Sequence, residues 1–457
     1  MGQTEHSLID STQLRAAQAS AWRRFRIDPS VTLLLAGLLL PNALSLATFT
    51  ALVDISLPPR PTQMMLYCVV AISARKIPFA ATVILFLGVL AFDLVLTLSM
   101  AFGLAPTELM AAAEYVRRIN MLSSPFYVAM IVSIALTTLA SLMLLSRRKE
   151  MVGGNAVVLF VATLALAALD MISNTSAHFD FNAMLGRDRP IVSAYEVSGF
   201  RKVAGTNGRN VVVVLVESLG YLMDPNARAR IDAPLNGSRV TEKYTVTSGT
   251  AEYYGATTSG EMRELCSTRA AYADIARESG MGCLPSKLKR QGYSTLAVHG
   301  FFGEVFDRRN WYPDIGFDKV LFGENLSSRL TRRCGNAFRS VCDADLAPLI
   351  GKEAAYANAP RFIYWLTLNT HIPVQPGDAM TNFDCEHNPG DFGRADVCRM
   401  AELWRDLFGA IARLALDPAI GPAEILVVGD HAPPLWSRRG RGQFMPGKVA
   451  WYRLTPR

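Results

Sequence analysis

The chain has 457 residues, enough for two or three domains; half of them are hydrophobic and the mean hydropathy is +0.20. That hydropathy is high for a protein that is soluble throughout. A net charge of +7 suits an anionic surface. Phospholipid headgroups fit that charge, and no basic–aromatic motif argues for nucleic acid.

The apolar excess lies in the first third. A polar stretch carrying Arg15, Arg23, Arg24 and Arg26 has no signal-peptide cleavage pattern, which makes the run behind it an uncleaved anchor. That run, Val31 to Val53, is uncharged and long enough to cross a bilayer, with Pro41 inside it. Met64 to Ala74 is a weaker apolar stretch. Ile77 to Leu104 is interrupted only by Asp93, and Phe126 to Leu145 and Ala156 to Ile172 follow, the last containing Asp170. Basic residues favour the cytoplasmic side, so the N-terminus, Arg75-Lys76 and Arg147-Arg148-Lys149 are all expected inside. For Arg75-Lys76 to lie inside, the weak stretch must cross as well, starting near Thr62. The scheme has about five crossings and leaves everything after about residue 175 outside the cytoplasm. Arg117-Arg118 falls on the outer side, within an amphipathic stretch from Pro106 to Asn120 that is expected to rest in the headgroup layer. The expected domains are a cytoplasmic N-terminus (1–30), a transmembrane domain (31–175), a linker (176–208) and an extracytoplasmic catalytic domain (209–457).

Cysteine placement supports this topology. Cys68 falls in the weak stretch; Cys266, Cys283, Cys334, Cys342, Cys385 and Cys398 all follow the last apolar run. An even set of thiols outside the cytosol reads as three disulfides, and sequential pairing (266–283, 334–342, 385–398) is one of 15 arrangements. No C-x-x-C spacing favours zinc. Four crossings would place these thiols in a reducing compartment.

Beyond Arg209 apolar β-runs alternate with helical stretches, predicting a mainly parallel sheet covered by helices on both faces. Ser218 to Met223 is expected to open a crossover, Ser259 to Cys266 and Leu284 to Gln291 to be helical, and Ala401 to Leu416 to form an amphipathic helix. Chemically useful residues stand where the β-runs stop. Val211–Val216 ends at Glu217, Ser294–Val298 at His299, Phe362–Leu368 at Asn369-Thr370-His371, and Ile425–Val428 at Gly429-Asp430-His431. Of six histidines, three occupy such ends, where open α/β sheets gather their ligands.

Thr258-x-x-Glu261 has the form of a capping box, which would set Thr257 at the mouth of a helix. Two threonines before a helix are more often caps than nucleophiles, and an Asp-His pair after a strand is often a turn. Glu217 is harder to dismiss, because a carboxylate after six apolar strand residues is expensive to bury unpaired. Glu217, Asp430 and His431 make a mixed oxygen and nitrogen set. It suits Zn²⁺ or Mn²⁺ better than Ca²⁺, with Mg²⁺ also open, and Thr257 would share the ion.

In words and spacing the chain resembles the membrane-anchored alkaline phosphatase/sulfatase superfamily, in particular lipoteichoic acid synthases and phosphoglycerol and phosphoethanolamine transferases. The residues that carry this are Val213 to Ser218 (V-V-L-V-E-S), Thr257 four before Glu261, His299-Gly300 with Arg308, Thr367 to Pro373 (T-L-N-T-H-I-P), and Gly429-Asp430-His431. The resemblance implies a bacterial cytoplasmic membrane protein with an outward-facing catalytic domain. It implies a divalent ion on Glu217, Thr257, Asp430 and His431, and Thr257 as nucleophile. His371, Arg308 and His299 would act at the substrate phosphate. A phospholipid would donate its headgroup through a phospho-threonine to an envelope glycan or glycolipid. Phe306 stands where lipoteichoic acid synthases have tryptophan, which leaves phosphoglycerol and phosphoethanolamine both open. Cys266-Ser-Thr-Arg269 lacks the proline of the formylglycine motif, so sulfate-ester hydrolysis is not expected. Three other readings stand: a phosphodiesterase, phosphatase or sulfatase-like hydrolase on the same scaffold, a catalytically inactive membrane partner, and a transporter built around Asp93 and Asp170.

Overall fold

The computed structural model describes residues 28–49, 54–174, 191–277, 282–355 and 359–457. The basic residues Arg15 to Arg26, the end of the first apolar run and residues 176–190 of the 176–208 linker lie outside them. The chain divides into two compact units, one of Met1–Leu46, Arg60–Phe92 and Ser133–Met171, the other of Ala47–Pro59, Asp93–Val132 and Ile172–Arg457.

In the N-terminal third, helices Phe79–Phe102, Pro125–Ser146 and Ala156–Asn174 are long and apolar enough to cross a membrane. Their large side chains stay exposed (Ile84 71%, Leu136 61%, Val157 69%), as lipid-facing residues would. The two other expected crossings are shorter. Pro61–Ala74 forms one apolar helix, and the first run breaks into Pro29–Leu34, a π-turn at Leu35–Leu39 and Ala43–Thr48. Pro41 explains the break, since it has no N–H and disfavours helix in the residue before it. The Asn42 side chain donates to the Leu38 carbonyl beside the break at 2.8 Å. Both intramembrane carboxylates have local partners: Asp170 accepts the Arg60 N–H at 2.6 Å, and Asp93 accepts the Thr97 hydroxyl at 3.1 Å. Satisfied carboxylates of this kind remove the main prompt for a transporter.

The second unit holds the sheet. Its strands are β1 (Val211–Val216), β2 (Gly220–Leu222), β3 (Tyr244–Glu252), β4 (Ser294–His299), β5 (Lys319–Leu321), β8 (Arg361–Leu366), β9 (Glu424–Gly429) and β10 (Phe444–Pro456), with β6 (Arg333–Cys334) and β7 (Ser340–Val341) pairing apart from it. The order is β2-β10-β9-β1-β8-β4-β5, with β3 on β10. Strands β9, β1, β8, β4 and β5 run parallel, and β2, β3 and β9 pair antiparallel with β10. Every residue of β1 is buried, as a strand covered on both faces requires. Val212, Val214 and Val216 pack with Trp365, Trp404 and the helix Ala395–Leu416. Val211, Val213 and Leu215 pack with Tyr364, Leu288 of Leu284–Arg290 and Trp311 of Arg308–Asp314.

Two expectations are corrected here. After β1 the chain does not open a helical crossover. It turns at Ser218, a non-glycine residue at φ 57°, and returns as β2. The turn is held because Ser218 N donates to Asp430 Oδ1 and Ser218 Oγ donates to Glu217 Oε1, at 2.7 and 2.8 Å. The capping box at Thr258 does not form either: the helix begins at Thr257 with Ala256 as N-cap, because the Glu261 carboxylate is engaged elsewhere. The three disulfides pair sequentially: Cys266–Cys283, Cys334–Cys342 and Cys385–Cys398.

Candidate active site and metal centre

Parallel pairing of β1 with β9 sets Val216 opposite Gly429, so Glu217 and Asp430 leave adjacent strands at the same level. His431 follows directly, and the short helix Thr257–Glu261 brings its first residue up to them. Thr257 Oγ donates to Glu217 Oε2 at 3.1 Å and lies 3.4 Å from His431 Nε2. His431 Nε2 is 3.7 Å from Glu217 Oε1 and 3.4 Å from Asp430 Oδ2. One ligand atom from each of Glu217, Asp430 and His431 falls within 4.8 Å of the others, and all three residues are buried.

The cluster is short of positive charge. Asp430 Oδ2 is buried and accepts no hydrogen bond among the described residues. His431 Nδ1–H donates to the Ala432 carbonyl at 2.9 Å, which turns Nε2 toward the carboxylates and the threonine. Burial, then the charge of Glu217, pushes Asp430 up to about 7. Burial pulls His431 down, but Asp430 and Glu217 outweigh it and hold the imidazole above its ordinary value. Protons are thus retained where a cation would otherwise sit. The orphaned oxygen and the mixed O/N donors fit a divalent ion, as expected from the sequence. A second group of potential ligands, Cys385, Cys398 and Glu402, is disqualified by the Cys385–Cys398 disulfide.

The ligands are held from behind by residues to which the sequence reading gave no site role. Glu217 N donates to Thr367 Oγ1 at 2.9 Å, and Thr370 Oγ1 donates to the Glu217 carbonyl at 2.5 Å. The buried Arg263 guanidinium donates to the Asp430 and Gly429 carbonyls at 3.0 and 2.7 Å and pairs through Nε with Glu264 at 2.6 Å. Gly260 permits the helix to come this close, since a Cβ there would sit 2.9 Å from Asp430 Cβ. A signal was present in the sequence: Glu261, Arg263 and Glu264 crowd three charges beside Met262 and Leu265, which is costly unless they are mutually paired.

Three other expected site residues are placed differently. Arg308 is buried, with Nε and Nη2 on Glu261 at 2.9–3.3 Å and Nη1 on the Val305 carbonyl at 3.2 Å. Each of its nitrogens therefore has a partner, and the guanidinium anchors the far end of the Thr257–Glu261 helix. Tyr312 and Tyr364 add their hydroxyls to the same carboxylate. His299 is buried and donates from Nδ1 to the Leu366 carbonyl at 3.0 Å; burial, then Arg308, lowers its pKa to about 3. His371 donates from Nδ1 to the Ile372 carbonyl at 2.8 Å and packs against the Phe338 ring at 3.9 Å. Burial lowers it to about 4, with His431 and Asp430 among its electrostatic neighbours. It is neutral, with Nε2 as its acceptor. The loop that carries it is fixed by Asp343, whose Oδ2 accepts the Leu368 and Asn369 N–H groups at 2.8 and 2.7 Å.

Residues 209–391 match the Sulfatase family model. Cys266, in the segment nearest to a formylglycine motif, is bonded to Cys283. No curated protein matches the sequence. Among solved structures the chain is similar to the lipoteichoic acid synthase LtaP from Listeria monocytogenes, with 17% identity, 54% of this chain and 65% of that one covered, and a TM-score of 0.40. For the Streptococcus pyogenes phosphoglycerol transferase GacH with sn-glycerol-1-phosphate the values are 16%, 54%, 68% and 0.39. For the C-terminal periplasmic domain of EcEptC from Escherichia coli with Zn they are 15%, 55%, 74% and 0.35. The chain thus spans less than two thirds of the Listeria chain's length.

Proposed function

We propose that this chain, which carries a sulfatase-family domain over residues 209–391, is a membrane-bound, divalent-metal-dependent phosphotransferase. It would move a phosphoglycerol or phosphoethanolamine headgroup from a phospholipid to an envelope glycan or glycolipid on the outer side of a bacterial cytoplasmic membrane. The observation that carries this reading is the convergence of the Thr257 hydroxyl with Glu217, Asp430 and His431 in a buried cluster in which Asp430 Oδ2 has no hydrogen-bond partner among the described residues.

Glu217, Asp430 and His431, with the Thr257 oxygen, would hold the ion. When bound, such an ion lowers the pKa of a hydroxyl and neutralises charge on a phosphate. The protein's own groups supply the rest. Thr257 Oγ already directs its proton at Glu217 Oε2 and attacks phosphorus as that proton leaves. The bond from phosphorus to the diacylglycerol oxygen breaks, diacylglycerol departs with a proton, and the headgroup phosphate stays on Thr257. An acceptor hydroxyl then displaces Thr257. His371, neutral and with Nε2 free of a hydrogen bond among the described residues, is suited to accept a hydrogen bond from that hydroxyl, whose proton passes to the departing Thr257 oxygen. Arg308 acts through Glu261, keeping the nucleophile's helix in register, and His299 braces the β4–β8 strand ends. A donor confined to the bilayer gains effective concentration from an enzyme anchored in the same surface.

The test is to incubate the full chain with lipid donor and no acceptor, then digest it and locate the adduct by mass spectrometry. A phosphoglycerol or phosphoethanolamine adduct on Thr257, absent from Thr257→Ala, is expected. An adduct elsewhere, or none in an active preparation, overturns the nucleophile, and quantitative release to water in the presence of glycan makes the protein a hydrolase.

A further inference from the structure

The hydrogen bond from His371 Nδ1 to the Ile372 carbonyl settles which ring nitrogen carries the proton. It does not settle where the ring points, because the imidazole can still hinge about that one bond. The second constraint is Phe338, whose ring stands against the imidazole with centroids 3.9 Å apart and planes at 45°. Phe338 is half-buried and contributes to neither of the two large cores that flank the sheet. It packs instead with Phe301 and Leu368, in a small cluster at the strand ends.

The hairpin of β6 and β7 delivers this ring, and the Cys334–Cys342 disulfide closes it. Gly335, at φ 85°, lets the tip fold back tightly, since a Cβ there would meet the Phe338 carbonyl at 2.7 Å. The hairpin is clamped on two fronts. Toward the sheet, Val341 N donates to the Gly300 carbonyl at 3.1 Å and Asn369 Nδ2 donates to Ser340 Oγ at 2.7 Å. On the other front stand residues 120–127, which belong to the same compact unit as the sheet and lead into the apolar helix Pro125–Ser146. Asn120 N donates to the Ala337 carbonyl at 2.8 Å, and Asn336 Nδ2 donates to the Ser123 carbonyl at 3.1 Å. Tyr127, in the first turn of that helix, donates its hydroxyl to the Ile372 carbonyl at 3.4 Å, the oxygen that His371 Nδ1 also uses. A tip held at both neighbours of one aromatic residue leaves that ring little freedom.

We propose that Phe338 is a positioning residue for His371: its ring fixes the imidazole so that Nε2 meets the incoming hydroxyl, and residues 120–127 fix the hairpin that carries it. The proposal deepens the phosphotransferase reading and rests on it. Phe338 neither touches the phosphate nor moves a proton. In the second step the acceptor oxygen bonds to phosphorus as the Thr257 Oγ–P bond breaks, and the acceptor's proton restores the Thr257 hydroxyl. An imidazole that has swung away no longer orients that hydroxyl, and the step slows.

The experiment places the full chain in nanodiscs of labelled phosphatidylglycerol and phosphatidylethanolamine, adds glycerol as the acceptor hydroxyl, and times the loss of label from Thr257 to glycerol and water. Phe338→Leu, which keeps bulk without the ring, should slow that loss at least tenfold, and Phe338→Tyr should stay within threefold of the parent. In a His371→Ala background Phe338→Leu should change the rate less than twofold, as expected of a residue that acts only through His371. A second measurement needs no catalysis. Carbethoxylation by diethyl pyrocarbonate, read at His371 relative to the exposed His387 of the same chain, should rise at least fivefold in Phe338→Leu. A slowing that persists in full without His371, or an unchanged labelling ratio, overturns the positioning role while leaving the Thr257 chemistry standing. If the parent forms no Thr257 adduct, the phosphotransferase reading falls, and the labelling ratio alone decides whether Phe338 positions His371.

Discussion

Two buried charge clusters stand at the carboxyl ends of the sheet, and they differ in one respect. Around Glu261 the account closes: Arg308 meets the carboxylate through two nitrogens, and Tyr312 and Tyr364 add their hydroxyls. Around Asp430 it does not, because two carboxylates, an imidazole nitrogen and a hydroxyl face one another and Asp430 Oδ2 accepts no hydrogen bond among the described residues. Similar residue types, equally buried, therefore have opposite meanings. The complete cluster holds structure, and the incomplete one has the donor set that the proposed divalent ion would complete. Charge at a strand end identifies neither role; the partner inventory does.

The largest effect that would break this contrast comes from the incomplete side. Glu217→Gln should remove bound divalent metal and lower transfer by more than about 100-fold. Metal content per chain and transfer rate, measured before and after chelation and readdition of Zn²⁺ or Mn²⁺, check this; full activity in chelator would end the metal assignment. On the complete side, Arg308→Met strands Glu261 in the core and should cost about 3–5 kcal/mol of stability, whereas Arg308→Met with Glu261→Met should recover much of it. Denaturant titration of both variants decides the matter, and a single variant as stable as the parent would show that the cluster is not closed.

The two sides should also respond oppositely to neutralisation. In metal-free protein Asp430→Asn relieves repulsion with Glu217 and should raise Tm by roughly 2–4 °C, while abolishing metal-induced stabilisation. A lowered Tm in chelator would mean that Asp430 is already balanced. The smallest effect belongs to an intermediate case. Asp343 has Oδ2 filled by two N–H groups, while Oδ1 is buried and accepts nothing among the described residues. Burial raises it to about 7 from 3.8, so its contribution to stability is full below about pH 4 and is lost as pH rises through 7. Asp343→Asn should flatten Tm against pH across that window; an unchanged slope would assign the titration elsewhere.

Much of this was legible in the sequence because the signals were local. The four strands that bear site residues come from largely apolar runs, and Glu217 and Asp430-His431 mark the ends of two of them. Three disulfides were expected from the cysteine count, but the sequential pairing that forms was only one of 15 open arrangements. What escaped depended on long-range partners. Nothing near Ser218 announces that Asp430, 212 residues away, will hold it in a left-handed turn and convert an expected crossover into β2. Glu261 looked like half of a capping box because its true partner, Arg308, is 47 residues on. Arg263 could be suspected from cost but not assigned, since its acceptors are main-chain carbonyls of Gly429 and Asp430. Pro41 was visible in the first apolar run, yet only the packed helices show where the break falls.

The grip of Arg263 on the Gly429 and Asp430 carbonyls joins segments that are 166 and 167 residues apart in the chain. Thr257 and His431, 174 residues apart, therefore meet only when the sheet has closed. If Thr257 is the nucleophile proposed above, a nascent chain emerging beside lipid would be chemically silent until that late moment, and a locally melted one would fall silent again.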